Sequence, residues 1–199
     1  MKRLLTVIIG MALATGLHAE SARSILDKAA ATVSHKEGVT ARFQVVSQQM
    51  GSTAGSISVK GRKFVATTPQ ATIWFDGKTQ WTYMKDSEEV NVSQPTDEEL
   101  QALNPYTFVN LYKEGFRLSQ KAVGSSYEVH LRATDKKRRL QEMYIIVDQK
   151  SYKPTHVKMK QGGKWSTIVI SGLKAVSLSD AIFQFNAKDF PKAEIIDLR

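Results

Sequence analysis

The chain of 199 residues contains no cysteine, so disulfides, thiolate metal sites and cysteine nucleophiles are all excluded. Histidine is scarce as well, with four residues at His18, His35, His130 and His156. No two of them share the spacing of metal ligands or of a catalytic pair, and each is expected on a polar, solvated flank. The sequence has no G-x-S-x-G elbow, no H-E-x-x-H helix and no P-loop. Gly51-Ser52-Thr53-Ala54-Gly55 is glycine-rich but lacks the lysine and the strand-to-helix setting that phosphate binding needs, and it is read as a turn. Long apolar runs are missing after the first residues, so the remainder offers no membrane-spanning helix.

The N-terminus is where the apolar residues concentrate. Lys2-Arg3 precedes an apolar stretch from Leu4 to Leu17, followed by His18-Ala19, the pattern of a secretory leader cleaved after Ala19. The expected division is a leader over residues 1–19 and a single domain over 20–199, exported and soluble after cleavage. With 28 Lys and Arg against 19 Asp and Glu the chain is basic. In an exported protein that balance points to anionic lipid headgroups or acidic partners before nucleic acid. The sharpest basic run, Lys136-Lys137-Arg138-Arg139, lies between two expected strands and reads first as a solvated turn, with an anionic membrane or partner contact as the alternative.

Apolar residues at Ala22, Leu26, Ala29, Ala30 and Val33 have helical spacing, and Gly38 ends that segment. From Val39 the period changes to two, and strands follow in meander spacing with turns between them. One interruption occurs at 96–115. Thr96 with Glu99 forms a capping box, Asn104-Pro105 starts a second short helix and Gly115 ends it. After it strands resume up to a last short one expected around 182–185. The fold class is mainly β with α: a large antiparallel sheet of about eleven to twelve strands, wide enough to curl, with the helices on one side as a lid.

The most informative run is Thr72-Ile73-Trp74-Phe75-Asp76-Gly77-Lys78-Thr79-Gln80-Trp81-Thr82-Tyr83, an aromatic hairpin whose Asp76-Gly77 suits a tight primed turn. Ile73 and Phe75 point to one face and Trp74 to the other, so both faces of the hairpin need apolar cover. The strands carry a surplus of aromatic, Ile and Met side chains, and Met adapts to irregular apolar surfaces. Candidates for the lining of an apolar cavity are Phe43, Phe64, Ile73, Trp74, Phe75, Trp81, Tyr83, Met143, Ile145, Met159 and Trp165, with Leu100, Leu103, Phe108 and Leu111 on the lid. A filled core accounts for the same residues. The acids Glu88, Glu89, Asp97, Glu98 and Glu99 leave room for a carboxylate enzyme of envelope lipids or glycans, although capping and solvation explain them more simply.

In the order of its elements, and in Val59-Lys60-Gly61-Arg62-Lys63-Phe64 followed by Phe75-Asp76-Gly77-Lys78-Thr79-Gln80-Trp81-Thr82-Tyr83, the chain resembles the periplasmic lipoprotein carriers, the LolA-like family, in which a D-G-K-T-x-W-x-Y segment recurs. The resemblance implies a curved antiparallel incomplete barrel with a helical lid over an apolar cavity, and a non-enzymatic carrier with no cofactor and no nucleic acid, expected to be a monomer. It implies acylated lipoproteins as cargo, an inner-membrane lipoprotein-releasing transporter as donor and an outer-membrane acceptor. It also implies an arginine that tethers the closed lid; Arg62 is the nearest match in position, where the family's K-R-P reads Lys60-Gly61-Arg62-Lys63 with no proline after the arginine. A sensor or signalling domain of the same fold, binding a peptide, a protein or another lipid, is the competing expectation.

Overall fold

The computed structural model describes residues 20–47, 51–96, 99–100 and 111–199. The expected leader and lid residues Leu103 and Phe108 lie outside them, as do Asp97 and Glu98. The described residues include helix α1 (Ala22–Val33) and twelve strands: β1 (Val39–Ser47), β2 (Gly51–Lys60), β3 (Lys63–Thr67), β4 (Ala71–Phe75), β5 (Gln80–Met84), β6 (Glu89–Ser93), β7 (Phe116–Val123), β8 (Ser126–Ala133), β9 (Leu140–Asp148), β10 (Pro154–Gln161), β11 (Lys164–Ala175) and β12 (Glu194–Asp197).

All twelve strands belong to one unclosed, curved sheet in the order β12-β6-β5-β4-β3-β2-β1-β11-β10-β9-β8-β7. Each half is a meander of sequential hairpins, and the halves join where β1 pairs antiparallel with β11. A sheet of this width curls because every strand pair adds right-handed twist. β12 pairs with β6 in parallel, the one departure from the antiparallel pattern among the described strands.

Ser21 caps α1 by accepting a hydrogen bond from the Ser24 amide at 3.1 Å. The buried stripe is Ala22, Ile25, Leu26, Ala29 and Val33, so Ile25 joins the expected positions and Ala30 lies at the margin. The helix lies on β7 and β8. Its stripe is continuous with the side chains pointing to that face from β1, β2, β3, β4 and β8 to β11, and these form the main core.

Several strand boundaries differ from expectation. Gly51-Ser52-Thr53 is strand, not turn, because β1 extends far enough for Val46 to pair with Ser52 and Ser47 with Gly51. Asp76-Gly77 does not make a two-residue primed turn. Phe75 pairs with Gln80, so the loop has four residues, and the Asp76 carboxylate accepts from the amides of Lys78 (2.9 Å) and Thr79 (2.8 Å). Within that loop Gly77 alone adopts positive φ. The expected strand at 182–185 is a short 3-10 turn, Asp180–Phe183, capped by Ser179. A second 3-10 turn, Ala187–Asp189, follows before β12. Ser, Asp and Asn at the capping positions offer local hydrogen bonds that compete with a ladder, and they won here.

The capping box at Thr96 is present: Glu99 Oε2 accepts from the Thr96 amide at 2.8 Å, and Thr96 Oγ1 accepts from the Glu99 amide at 3.3 Å. The Glu99 carboxyl is held below its ordinary range by the hydrogen bonds it accepts from the Thr96 amide and, at 2.9 Å, from the Thr96 hydroxyl.

Candidate functional site

Antiparallel pairing sets directly opposed residues on one face, so the register sorts the apolar candidates into two groups. On the face that carries α1, Phe43 and Ile170 are opposed, as are Phe64 and Phe75, Ala66 and Ile73, and Met159 and Met143, with Ile145 opposite Val157. The Phe64 and Phe75 rings meet at 5.5 Å. Phe64, Phe75, Met143, Ile145 and Met159 are buried, while Phe43 and Ile73 are half-buried and pack against them. Among the lid candidates, Leu100 is buried in this same cluster and Leu111 packs on it.

This floor is shaped by one glycine. Gly55 opposes Phe43, and a Cβ there would stand 2.1 Å from the Thr67 carbonyl oxygen and 2.8 Å from the Phe43 ring. The Phe43 ring therefore lies across the Gly55 backbone, in the space a side chain there would fill.

Trp74, Trp81 and Tyr83 belong to the opposite face. Trp74 opposes Trp81, and Tyr83 opposes Val90. The segment following β11 crosses this face and covers it. Trp74 meets Phe185 and Phe190 edge-on, both at 5.6 Å, and Tyr83 meets Phe190 at 4.6 Å. Phe183, Val90 and Val92 are fully or almost fully buried there. Asp180 ties this strap to the β2–β3 hairpin through Lys63 (2.9 Å) and Lys60 (3.1 Å), which hold its carboxyl below the ordinary range. These three aromatics thus build a second, smaller core behind the hairpin and do not share a surface with Phe64 and Phe75.

Trp165 also lies on the outer face, opposite Lys160. Lys158 stands 4.7 Å from its ring centre and Tyr144 packs at 6.0 Å. Together with Glu128, Ile146, His156 and Thr167 they border an open groove of about 520 Å³. His130 is not a solvated flank residue: its ring stacks on Tyr144 at 4.3 Å and its Nε2 meets Glu142 at 2.8 Å. Burial raises the Glu142 pKa, but hydrogen bonds from His130 and Tyr144 outweigh that and hold the carboxyl below its ordinary range. Among the described residues no group of three His, Asp or Glu is placed to hold a metal ion.

Arg62 lies in the exposed turn between β2 and β3. Arg138, from the basic run, is engaged structurally: its guanidinium lies 4.9 Å from the Phe116 ring and donates to the carbonyls of Glu114 and Gly115, both at 3.4 Å.

Two sets of contacts had no signal in the sequence. The Tyr112 hydroxyl donates to Asp27 on α1, and burial followed by that carboxylate pushes the phenol up to about 12. At the start of the helix, Glu20 meets Lys28 at 2.7 Å and accepts from Ser24 and Tyr152, both at 2.8 Å. Tyr112 and Asp27 are 85 positions apart, and Tyr152 and Glu20 are 132 apart, separations that no local pattern marks.

The family described as outer membrane lipoprotein carrier protein LolA matches residues 13–163, most of the chain. The chain belongs to the LolA family. No curated protein matches it. Among solved structures, an uncharacterized conserved protein from Thermus thermophilus is similar at 14% identity and a TM-score of 0.60, with 88% of this chain and 98% of that one covered. A LolA superfamily protein from Nitrosomonas europaea is also 14% identical, with a TM-score of 0.46 and coverage of 84% and 99%. At 14% identity the likeness to the Thermus protein is one of fold. Among the described residues no helix is long and apolar enough to cross a membrane.

Proposed function

We propose that this LolA-family chain is a periplasmic carrier, residues 20–199 forming one monomeric domain behind a cleaved leader, that shields lipoprotein acyl chains on the helix-side face of its sheet. The observation that supports it is the continuous apolar floor of Phe43, Phe64, Ile73 and Phe75 running into Met143, Ile145 and Met159. An acyl chain exposed to water is unfavourable by about 0.8 kcal/mol for each methylene, so crossing an aqueous compartment requires cover of this kind. Aromatic, Ile and Met side chains offer adaptable contacts without covalent chemistry, and release needs only an acceptor that covers the chains better. Leu100 and Leu111 are the described parts of the lid, and Arg62 is the candidate tether. Donor and acceptor are the inner-membrane transporter and outer-membrane receptor of lipoprotein export.

The test is native mass spectrometry of the mature chain from Glu20 with one lipoprotein in triacylated and in deacylated form. A complex with the acylated form alone is expected. Binding of both forms would replace the carrier with a protein- or peptide-binding domain of the same fold, and binding of neither would leave no lipoprotein function.

A further inference from the structure

The polarity of the sheet inverts at β5 and β6. Elsewhere the helix-side face is the apolar one, but on these two strands the apolar residues Trp81, Tyr83, Val90 and Val92 point away from the helix, where the strap buries the two valines. The helix-side positions opposite them are Gln80, Thr82, Asn91 and Ser93, paired Gln80 with Ser93 and Thr82 with Asn91. This polar row continues the apolar floor directly, because Gln80 opposes Phe75 and Thr82 opposes Ile73.

One member of the row is unmatched. The Gln80 Nε2 donates to Thr82 Oγ1 at 3.2 Å, while Oε1 is shut off from solvent and meets no donor. The Thr82 hydroxyl can serve either end of the carboxamide, so turning the group over leaves the other end unmatched instead. Buried polar groups are nearly always paired, and an exception beside a binding surface points to a partner that arrives with the ligand. Gln120, whose Oε1 is likewise unmatched, differs in that its amide is anchored to the Glu20 carbonyl at the root of α1, at 2.8 Å.

We infer that Gln80, with Thr82, Asn91 and Ser93, is a polar subsite that selects cargo bearing a secondary amide next to its alkyl chain. Such an amide carries both an N–H and a carbonyl, so it satisfies the free end of the Gln80 carboxamide in either orientation. An ester offers acceptors alone: it can pair with Nε2 when the carboxamide is turned over, but in the observed orientation it leaves Oε1 without a donor. Hydrocarbon rests on Phe64, Ile73 and Phe75, and the amide falls one strand further on. The inference rests on the carrier reading and specifies what its cargo presents. Two sources supply that chemistry: an N-acyl linkage, or the peptide backbone beyond an ester-linked chain.

The mature chain is loaded with the fluorescent apolar probe N-phenyl-1-naphthylamine, which is displaced by hexadecyl acetate, by its amide isostere N-hexadecylacetamide, or by N-acetylglycine hexadecyl ester, whose amide lies beyond the ester. One of the amides is expected to bind about five- to tenfold more tightly than hexadecyl acetate, the preferred one identifying the source. In Gln80→Leu the affinities converge, and its unfolding midpoint is no lower than that of the wild type because an orphaned polar group is gone. Should Gln80→Leu fail to fold, Gln80→Met, close in volume, takes its place. Equal affinities in the wild type, or a preference that survives in Gln80→Leu, would overturn the amide subsite and leave the carrier reading standing. Failure of all three compounds to displace the probe would overturn both.

Discussion

Trp74 and Phe75 are neighbours in sequence on opposite faces of β4, and substituting each separately tests the division of the two cores. Trp74→Ala removes an indole that meets Phe185 and Phe190 edge-on. Trp74 is partly accessible, so about 100 Å² of apolar surface is lost from burial, about 2.5 kcal/mol at 25 cal/mol per Å². The two ring contacts contribute beyond area, which brings the expected loss to about 3 kcal/mol. With a urea m-value of about 2 kcal/mol per M, the midpoint should fall by about 1.5 M at unchanged slope. Acyl capture, measured on folded protein by native mass spectrometry, should stay as in the wild type. Phe75→Glu should do the reverse to function: its side chain faces Phe64 at 5.5 Å, and a carboxylate there opposes an alkyl chain, so capture is lost. Folded Trp74→Ala that no longer captures acylated lipoprotein, or folded Phe75→Glu that still does, would refute the assignment of the faces.

Two further predictions concern the edges of the site. Glu20 is held at about 2, against an ordinary 4.5, chiefly by its hydrogen bond with Lys28. A carboxyl lowered in the folded state stabilises above about 4.5 and loses that contribution as the pH falls towards 2. Stability measured by urea unfolding should therefore decline across that window, and Glu20→Gln should flatten the decline; identical profiles would show the cluster to be energetically idle. Arg62→Leu should speed transfer of captured lipoprotein to acceptor membranes at least threefold while capture is kept, if Arg62 tethers the lid. Unchanged transfer kinetics would remove it from that role.

Much of the architecture was legible along the chain. Period-two patterning, glycines at turns and the Thr96/Glu99 box are local, and each hairpin of the two meanders joins neighbours in sequence, so their signals survive without knowledge of the rest. The opposite faces of Trp74 and Phe75 followed from alternation alone. The strap was misread because Asp180–Phe183 pairs apolar residues with capping side chains, and only its placement against Trp74 and Tyr83 makes a 3-10 turn the better solution.

Strands β1 to β11, helix α1 and the alternation within each strand depend on residues a few positions apart and could be read along the chain, whereas β12 is not among the expected strands and the one expected around 182–185 is a 3-10 turn. Which alternate set faces the helix is settled by long-range contacts. That choice depends on the β1–β11 pairing, which joins residues more than a hundred positions apart, and on the strap returning to the outer side of the hairpin. Trp74, Trp81, Tyr83 and Trp165 looked like cavity aromatics because composition records how much apolar surface must be covered and not what covers it. The strap covers Trp74 and Tyr83 from behind, and the helix-side face of β5 and β6 is thereby left to polar residues, Gln80 among them.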